Sequence, residues 1–164
     1  MHTHEYTKNS DPNYFFEHVR KGNCGSFALN VKEWYVSDRD FDNTNEARYM
    51  LEEGRSLDEI FDYLTTINIE QILEDFKEEI RVLIDKDDVQ DNEELIAFRL
   101  GIFEDEDFEG IDTDFHFKVR RDGSWMEKCG STEVRFCELN EDEEWSNSSG
   151  DRYNGPIVFL AKKI

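Results

Sequence analysis

Ile96-Ala97-Phe98-Arg99-Leu100-Gly101-Ile102 and Phe115-His116-Phe117-Lys118-Val119-Arg120-Arg121-Asp122-Gly123-Ser124-Trp125 are the stretches whose reading decides the fold. In both, large apolar residues alternate with polar or small ones, the two-residue repeat of strands with one face in a core. Asp122-Gly123 is a strong hairpin turn, and the chain returns through Trp125. Val134 and Phe136 mark a further strand, and Pro156 to Ala161, with Ile157, Val158, Phe159 and Leu160, a buried last one. Upstream the period lengthens. Tyr14-Phe15-Phe16 and Val19 start a short helix, and Ser26 to about Trp34 forms another with Ala28 and Leu29 inward. Ser56 and Glu59 make a capping box for a short helix through Leu57, Ile60, Phe61 and Leu64. Asn68 and Gln71 repeat that spacing. From there Ile69, Ile72, Leu73, Phe76, Ile80, Leu83 and Ile84 predict an amphipathic helix with Glu70, Glu74, Asp75, Glu78 and Glu79 largely outward. Helices first and antiparallel strands second predict an α+β fold, N-terminal helices packed on a C-terminal sheet, rather than a βαβ series.

The charge is the abnormal quantity. The chain of 164 residues carries 40 acidic against 19 basic residues, a formal charge of −21, far beyond what solubility needs. Such a balance excludes nucleic-acid coating by ordinary basic contacts. The acidity is local: residues 1–35 hold four acids and four bases, 36–110 hold 25 and seven, and 111–164 hold 11 and eight. With no repeat and no Pro-rich or Ser-rich linker, the expectation is one domain, 1–164. Within it come a Cys-bearing helical region at 1–35, an acidic helical insertion at 36–110, and the sheet at 111–164. No stretch approaches the roughly 18 apolar residues of a membrane span, and Met1 to Pro12 lacks the apolar core of a signal peptide. A cytoplasmic protein is expected. Cys24, Cys129 and Cys137 are odd in number and irregular in spacing, against a disulfide framework.

Asn23-Cys24-Gly25-Ser26-Phe27-Ala28-Leu29 places a thiol among small residues at the first turn of a helix, where a cysteine hydrolase would keep its nucleophile. Asp114-Phe115-His116-Phe117 places a histidine on the sheet face opposite its aromatic neighbours. If the helix bearing Cys24 covers that face, Cys24 and His116 form a nucleophile and base, with the Cys24 and Gly25 amides as oxyanion donors. A lone cysteine among small residues is also the ordinary signature of a packed, inert thiol.

The Cys-Gly-Ser segment resembles the element that begins the central helix of papain-like proteases, which continue with Cys-Trp where this chain has Phe27-Ala28. More specifically, Asn23-Cys24, Phe27-Ala28-Leu29-Asn30, Asp114-Phe115-His116-Phe117 and Asp122-Gly123-Ser124-Trp125 with Lys128 are similar to a set of small bacterial and phage proteins. Those proteins pair an Asn-Cys helix start with an Asp-aromatic-His-aromatic strand and a Gly-x-Trp-Ser-His-Lys hairpin. The resemblance covers about a third of the chain and implies a papain-like outline. This chain departs from it with Met126-Glu127 in place of Ser-His, and with Cys129 where Pro is common. The third member of a triad stays open among Asp114, Asp122 and Asn140.

Metal chemistry is not expected. His2 and His4 lie in the N-terminal tail, His18 is six positions from Cys24, and Cys129 and Cys137 lack zinc-ligand spacing. The run Glu104-Asp105-Glu106-Asp107 lacks the alternating ligands and central Gly of a calcium loop. No cofactor is implied. Two functions follow. The first is a small cysteine hydrolase, protease or amidase, with Cys24, His116 and Asp114 at its centre and an acidic surface that docks a basic partner. The second is a non-enzymatic inhibitor with Glu70, Glu74, Asp75, Glu78, Glu104, Asp105, Glu106 and Asp107 in its binding face. It would mimic nucleic acid in the basic channel of a nucleic-acid enzyme such as a Cas effector or restriction enzyme, and would not bind nucleic acid itself. In size, acidity and aromatic content the chain is similar to phage anti-restriction and anti-CRISPR proteins.

Overall fold

In a computed structural model, which describes residues 5–36, 42–104 and 110–164, four helices precede and pack on an antiparallel sheet, an α+β architecture. The helices are α1 (Tyr14–Glu17), α2 (Cys24–Leu29), α3 (Asn43–Glu52) and α4 (Leu57–Asp75). The strands are β1 (Ile80–Leu83), β2 (Glu93–Glu104), β3 (Ile111–Arg121), β4 (Ser124–Lys128), β5 (Val134–Phe136), β6 (Trp145–Ser146), β7 (Arg152–Tyr153) and β8 (Ile157–Lys163). Six of them form one sheet in the order β1-β8-β2-β3-β4-β5, and β6 pairs with β7 in a two-stranded ribbon.

The alternation in β2 and β3 works as expected. Phe98 pairs with Phe117 and Arg99 with His116. Ile96, Phe98, Leu100 and Ile102 join Phe117 and Val119 in the main core with α2, α3 and α4. The intervening residues face the other way, where Ala97 packs with Trp145 and Tyr153. The sheet is therefore the middle of three layers, helices on one side and the β6–β7 ribbon on the other.

Several helical expectations are corrected. The helices expected on either side of Asn68 are one, α4, which runs 19 residues from its Ser56 cap. Asn68 is not a cap. It is buried in mid-helix and donates to the Leu64 carbonyl and to Asn43 Oδ1 of α3. The helix stops at Asp75; Phe76 leaves helical dihedrals and Glu78 takes a left-handed φ of 66°. Ile80 and Leu83 then sit in β1, not in the helix. Their three-residue spacing imitates a helical stripe, yet in the strand Ile80 faces the helical layer and Leu83 the opposite one, and both are buried. The helix expected through Trp34 also ends early, at Asn30 in the left-handed region. Residues 36–110, expected as a helical insertion, supply β1 and β2 to the main sheet as well as α3 and α4.

Gly101 fixes the third layer. A Cβ there would stand 1.7 Å from the Arg152 carbonyl oxygen, so β7 lies directly on β2. The Asn154 side chain completes the junction by exchanging hydrogen bonds of 3.1 Å with both backbone groups of Ile102. Gly101→Ala is expected to destabilise the fold by about 2 kcal/mol or more, since the contact is backbone on backbone. Gly54→Ala, with open space around it but φ +84°, should cost only about 1 kcal/mol. Urea unfolding of the two variants checks the contrast.

Candidate functional site

Cys24 opens α2 as expected. Asn23 caps the helix: its side chain accepts from the Ser26 amide at 2.9 Å, and the Asn23 amide donates to Ser26 Oγ, a reciprocal cap. Asn23 is held in turn by donating to the Tyr35 carbonyl. Lys128 of β4, fully buried, donates to the carbonyls of Gly22 and Gly130, bracing the turn before the cap.

The thiol itself is in the core. Cys24 is 6% exposed, and its Sγ lies 3.9 Å from the Phe115 carbonyl oxygen. Burial foremost, and then the neighbouring Asp114 charge, push the thiol pKa far above its ordinary value. A reactive thiolate needs the opposite environment.

His116 faces the other layer. Helix α2 packs on the side of Phe117, so the alternation that puts Phe115 and Phe117 toward the helices turns His116 away from Cys24. The imidazole stacks on Tyr153 at 5.0 Å and meets Trp145 edge-on. Its Nε2 donates to Glu127 Oε1 at 2.7 Å. No hydrogen bond joins it to Cys24 among the described residues. Asp114 does not orient it either: that carboxylate accepts from Tyr153 Oη at 2.7 Å and from the Phe115 amide. Asp122 and Asn140 take positive φ in turns.

What gathers around His116 is a polar cluster between the sheet and the ribbon. Glu127 accepts from His116 on Oε1 and from Arg135 on Oε2 at 2.9 Å. Burial alone would raise its pKa, but the His116 hydrogen bond and charge, with Arg135 and Lys118, pull it down to about 2. Cys129 joins them: its Sγ, His116 and a Glu127 oxygen all lie within 4.8 Å of one another, and Arg135 reaches that sulfur at 3.6 Å. Lys118 donates to the Glu138 and Leu139 carbonyls, with its ammonium 4.3 Å from the Trp145 ring centroid. Burial lowers its pKa. Burial likewise raises the Cys129 thiol, and raises Cys137 to about 11.

Of this cluster only His116 stood out in the sequence. Glu127 and Cys129 were not placed with it and Arg135 was not singled out, yet a signal existed. With Asp122-Gly123 as the turn, Val119 pairs with Met126, and the alternation then brings Glu127 to the face of Lys118 and His116.

The acidic residues are spread differently. Glu70 and Glu74 are exposed on α4, Glu78 lies in the turn beyond it, and Glu104 is exposed at the end of β2. Asp75 is half-buried and accepts from Tyr35 Oη at 3.0 Å. Asp105, Glu106 and Asp107 lie outside the described residues. No protein-family model matches the chain, and neither a curated protein nor a solved structure was found to be similar to it.

Two measurements test this geometry. In the native protein Cys24 should react with iodoacetamide about a hundredfold more slowly than an exposed thiol, and behind Cys129; equal labelling of the two by peptide mapping would contradict it. Asp114 gives the second. Burial, outweighing its hydrogen bonds from Tyr153 and the Phe115 amide, raises its carboxyl from an ordinary 3.8 to about 6. The folded state then holds a proton that the unfolded chain has lost, so stability falls as pH rises from about 4 to about 6. Asp114→Asn should be more stable than the wild type by about 1–2 kcal/mol at pH 7 and no more stable at pH 4. Urea midpoints at the two pH values check the sign.

Proposed function

We propose that the protein is a non-enzymatic binding protein that docks a basic surface through the acidic outer face of α3 and α4. The observation that carries this reading is α4 itself, which holds six acidic residues and no Lys or Arg in 19 residues. Glu59, Asp62, Glu70 and Glu74 are exposed along it. The helix is about 28 Å long, so its six carboxylates average about one per 4.7 Å, against one charge per about 3.4 Å along each strand of duplex DNA. A rigid helix thus offers an extended negative line of nucleic-acid scale.

Beside it, Tyr49 and Tyr63 are 60% and 46% exposed in a shallow cleft between α3 and α4 that Glu46, Glu53 and Asp62 also line. Exposed aromatic rings among carboxylates suit Arg and Lys side chains, which gain cation–π contact as well as charge. The occupant that fits this chemistry best is a basic groove that otherwise holds nucleic acid, as in a Cas effector or restriction enzyme. Such a protein acts by competition and needs no catalytic group.

The alternative, a cysteine hydrolase built on Cys24 and His116, has the α2 cap in its favour. It would need the thiol to leave the core and the imidazole to leave Glu127.

An arginine-rich peptide, read by fluorescence anisotropy, tests the face. The triple variant Asp62→Lys, Glu70→Lys, Glu74→Lys should lose affinity about tenfold or more. Glu138→Lys, Asp142→Lys, Glu143→Lys makes the same change in net charge elsewhere and should keep it. Equal losses in both would mean that net charge alone is responsible and would overturn the assignment of the face.

A further inference from the structure

The cluster around His116 is not used by the docking face, and it has the composition of a metal site. Imidazole, carboxylate and thiolate are the donor set of a borderline-soft dication such as zinc. His116 Nε2 and Glu127 Oε1 are 2.7 Å apart, and a His116 nitrogen, a Glu127 carboxylate oxygen and Cys129 Sγ all lie within 4.8 Å of one another. Around a tetrahedral zinc with bonds of about 2.0–2.3 Å, neighbouring ligand atoms stand roughly 3.3–3.7 Å apart, so only small side-chain adjustments are required. Two of the three ligands are on sheet strands, and the third directly follows β4.

We propose that His116, Glu127 and Cys129 form a three-ligand zinc site with an open fourth position. The surroundings are those of a prepared site. Arg135 holds Glu127 Oε2, which leaves Oε1 free to ligate in monodentate fashion while the carboxylate stays oriented, the usual work of groups behind a metal ligand. Tyr153 and Trp145 fix the imidazole plane by stacking and edge contact. His116 and Glu127 are buried, but Cys129 also lines a surface cleft with Thr132, Glu133, Arg135 and Ser148. The cleft gives the ion a path in and a water a place to complete the shell. Binding replaces the His116–Glu127 hydrogen bond by two metal bonds. The Cys129 thiol loses its proton to solvent, and His116 Nε2 gives up the proton it shares with Glu127, the ligating imidazole keeping its remaining N–H on Nδ1. The two anionic ligands balance the dication.

The test uses the full chain, stripped with a chelator and titrated with cobalt(II) and then zinc. One equivalent of cobalt should bind and give a thiolate-to-cobalt charge-transfer band, and zinc should displace it. A large excess of magnesium, which would compete for the acidic surface, should not. Cys129→Ser should abolish the band and weaken zinc binding a hundredfold or more, and Glu127→Gln should weaken it ten- to a hundredfold. Cys24→Ser, Cys137→Ser and His2→Ala with His4→Ala should leave both unchanged. Because Cys129 is only partly buried, its variant should keep the wild-type circular dichroism and decides the matter even if Glu127→Gln does not fold. Absence of the band in the wild type, or its survival in Cys129→Ser, would overturn the proposal. Neither result bears on the α3–α4 docking face, which lies on the other side of the sheet.

Discussion

Strand β3 can send each side chain to one side of the sheet only, and the arrangement of the molecule's chemistry follows from that. Phe115, Phe117 and Val119 face the helices, so His116 and Lys118 must face the ribbon. Cys24, at the start of a helix packed on the aromatic side, falls into an apolar core with a main-chain carbonyl for a neighbour. His116 falls into a polar layer with Glu127. A buried imidazole–carboxylate pair is costly to desolvate and contributes little net stability by itself. Its value is orientation: Arg135 on one carboxylate oxygen and His116 on the other leave Glu127 a single geometry. Trp145, covering both Lys118 and Arg99, closes the layer over cations whose donors are spent on backbone carbonyls.

Much of this was legible in the sequence, because the signals were local. The alternation in β2 and β3, the Asp122-Gly123 turn, the Ser56 cap and the helix start at Cys24 each depend on neighbours a few residues apart. The errors came where tertiary pairing overrode a local period. Ile80 and Leu83 continue the spacing of α4, but pairing with β8 draws them into a strand. Asn68 has the sequence context of a cap, yet Asn43 on α3 gives it a partner in mid-helix. The site was half legible for the same reason. Chain order shows that Cys24 begins a helix and that His116 opposes its aromatic neighbours, but not which layer covers which face. The ribbon that covers His116 comes from residues 145–153, whose two short strands carry almost no periodic signal.

The two roles proposed for the two faces of the sheet do not draw on the same residues. The helical side carries the line of carboxylates proposed as the docking face, and its core buries Cys24 where the thiol pKa is raised. The ribbon side holds the nitrogen, oxygen and sulfur donors in one place, reachable through the cleft at Cys129. Self-repulsion within the acidic half is offset by the apolar packing beneath α4, whose Ile60, Leu64 and Ile72 are fully buried.

The central claim is that His116 belongs to Glu127 and not to Cys24. Nitrogen-15 NMR of the imidazole tests it most directly, recorded on the wild type, Glu127→Gln and Cys24→Ser. The account predicts that the His116 ring resonances shift in Glu127→Gln and stay in place in Cys24→Ser. Resonances that move with Cys24→Ser and ignore Glu127→Gln would contradict it and put the imidazole beside the thiol.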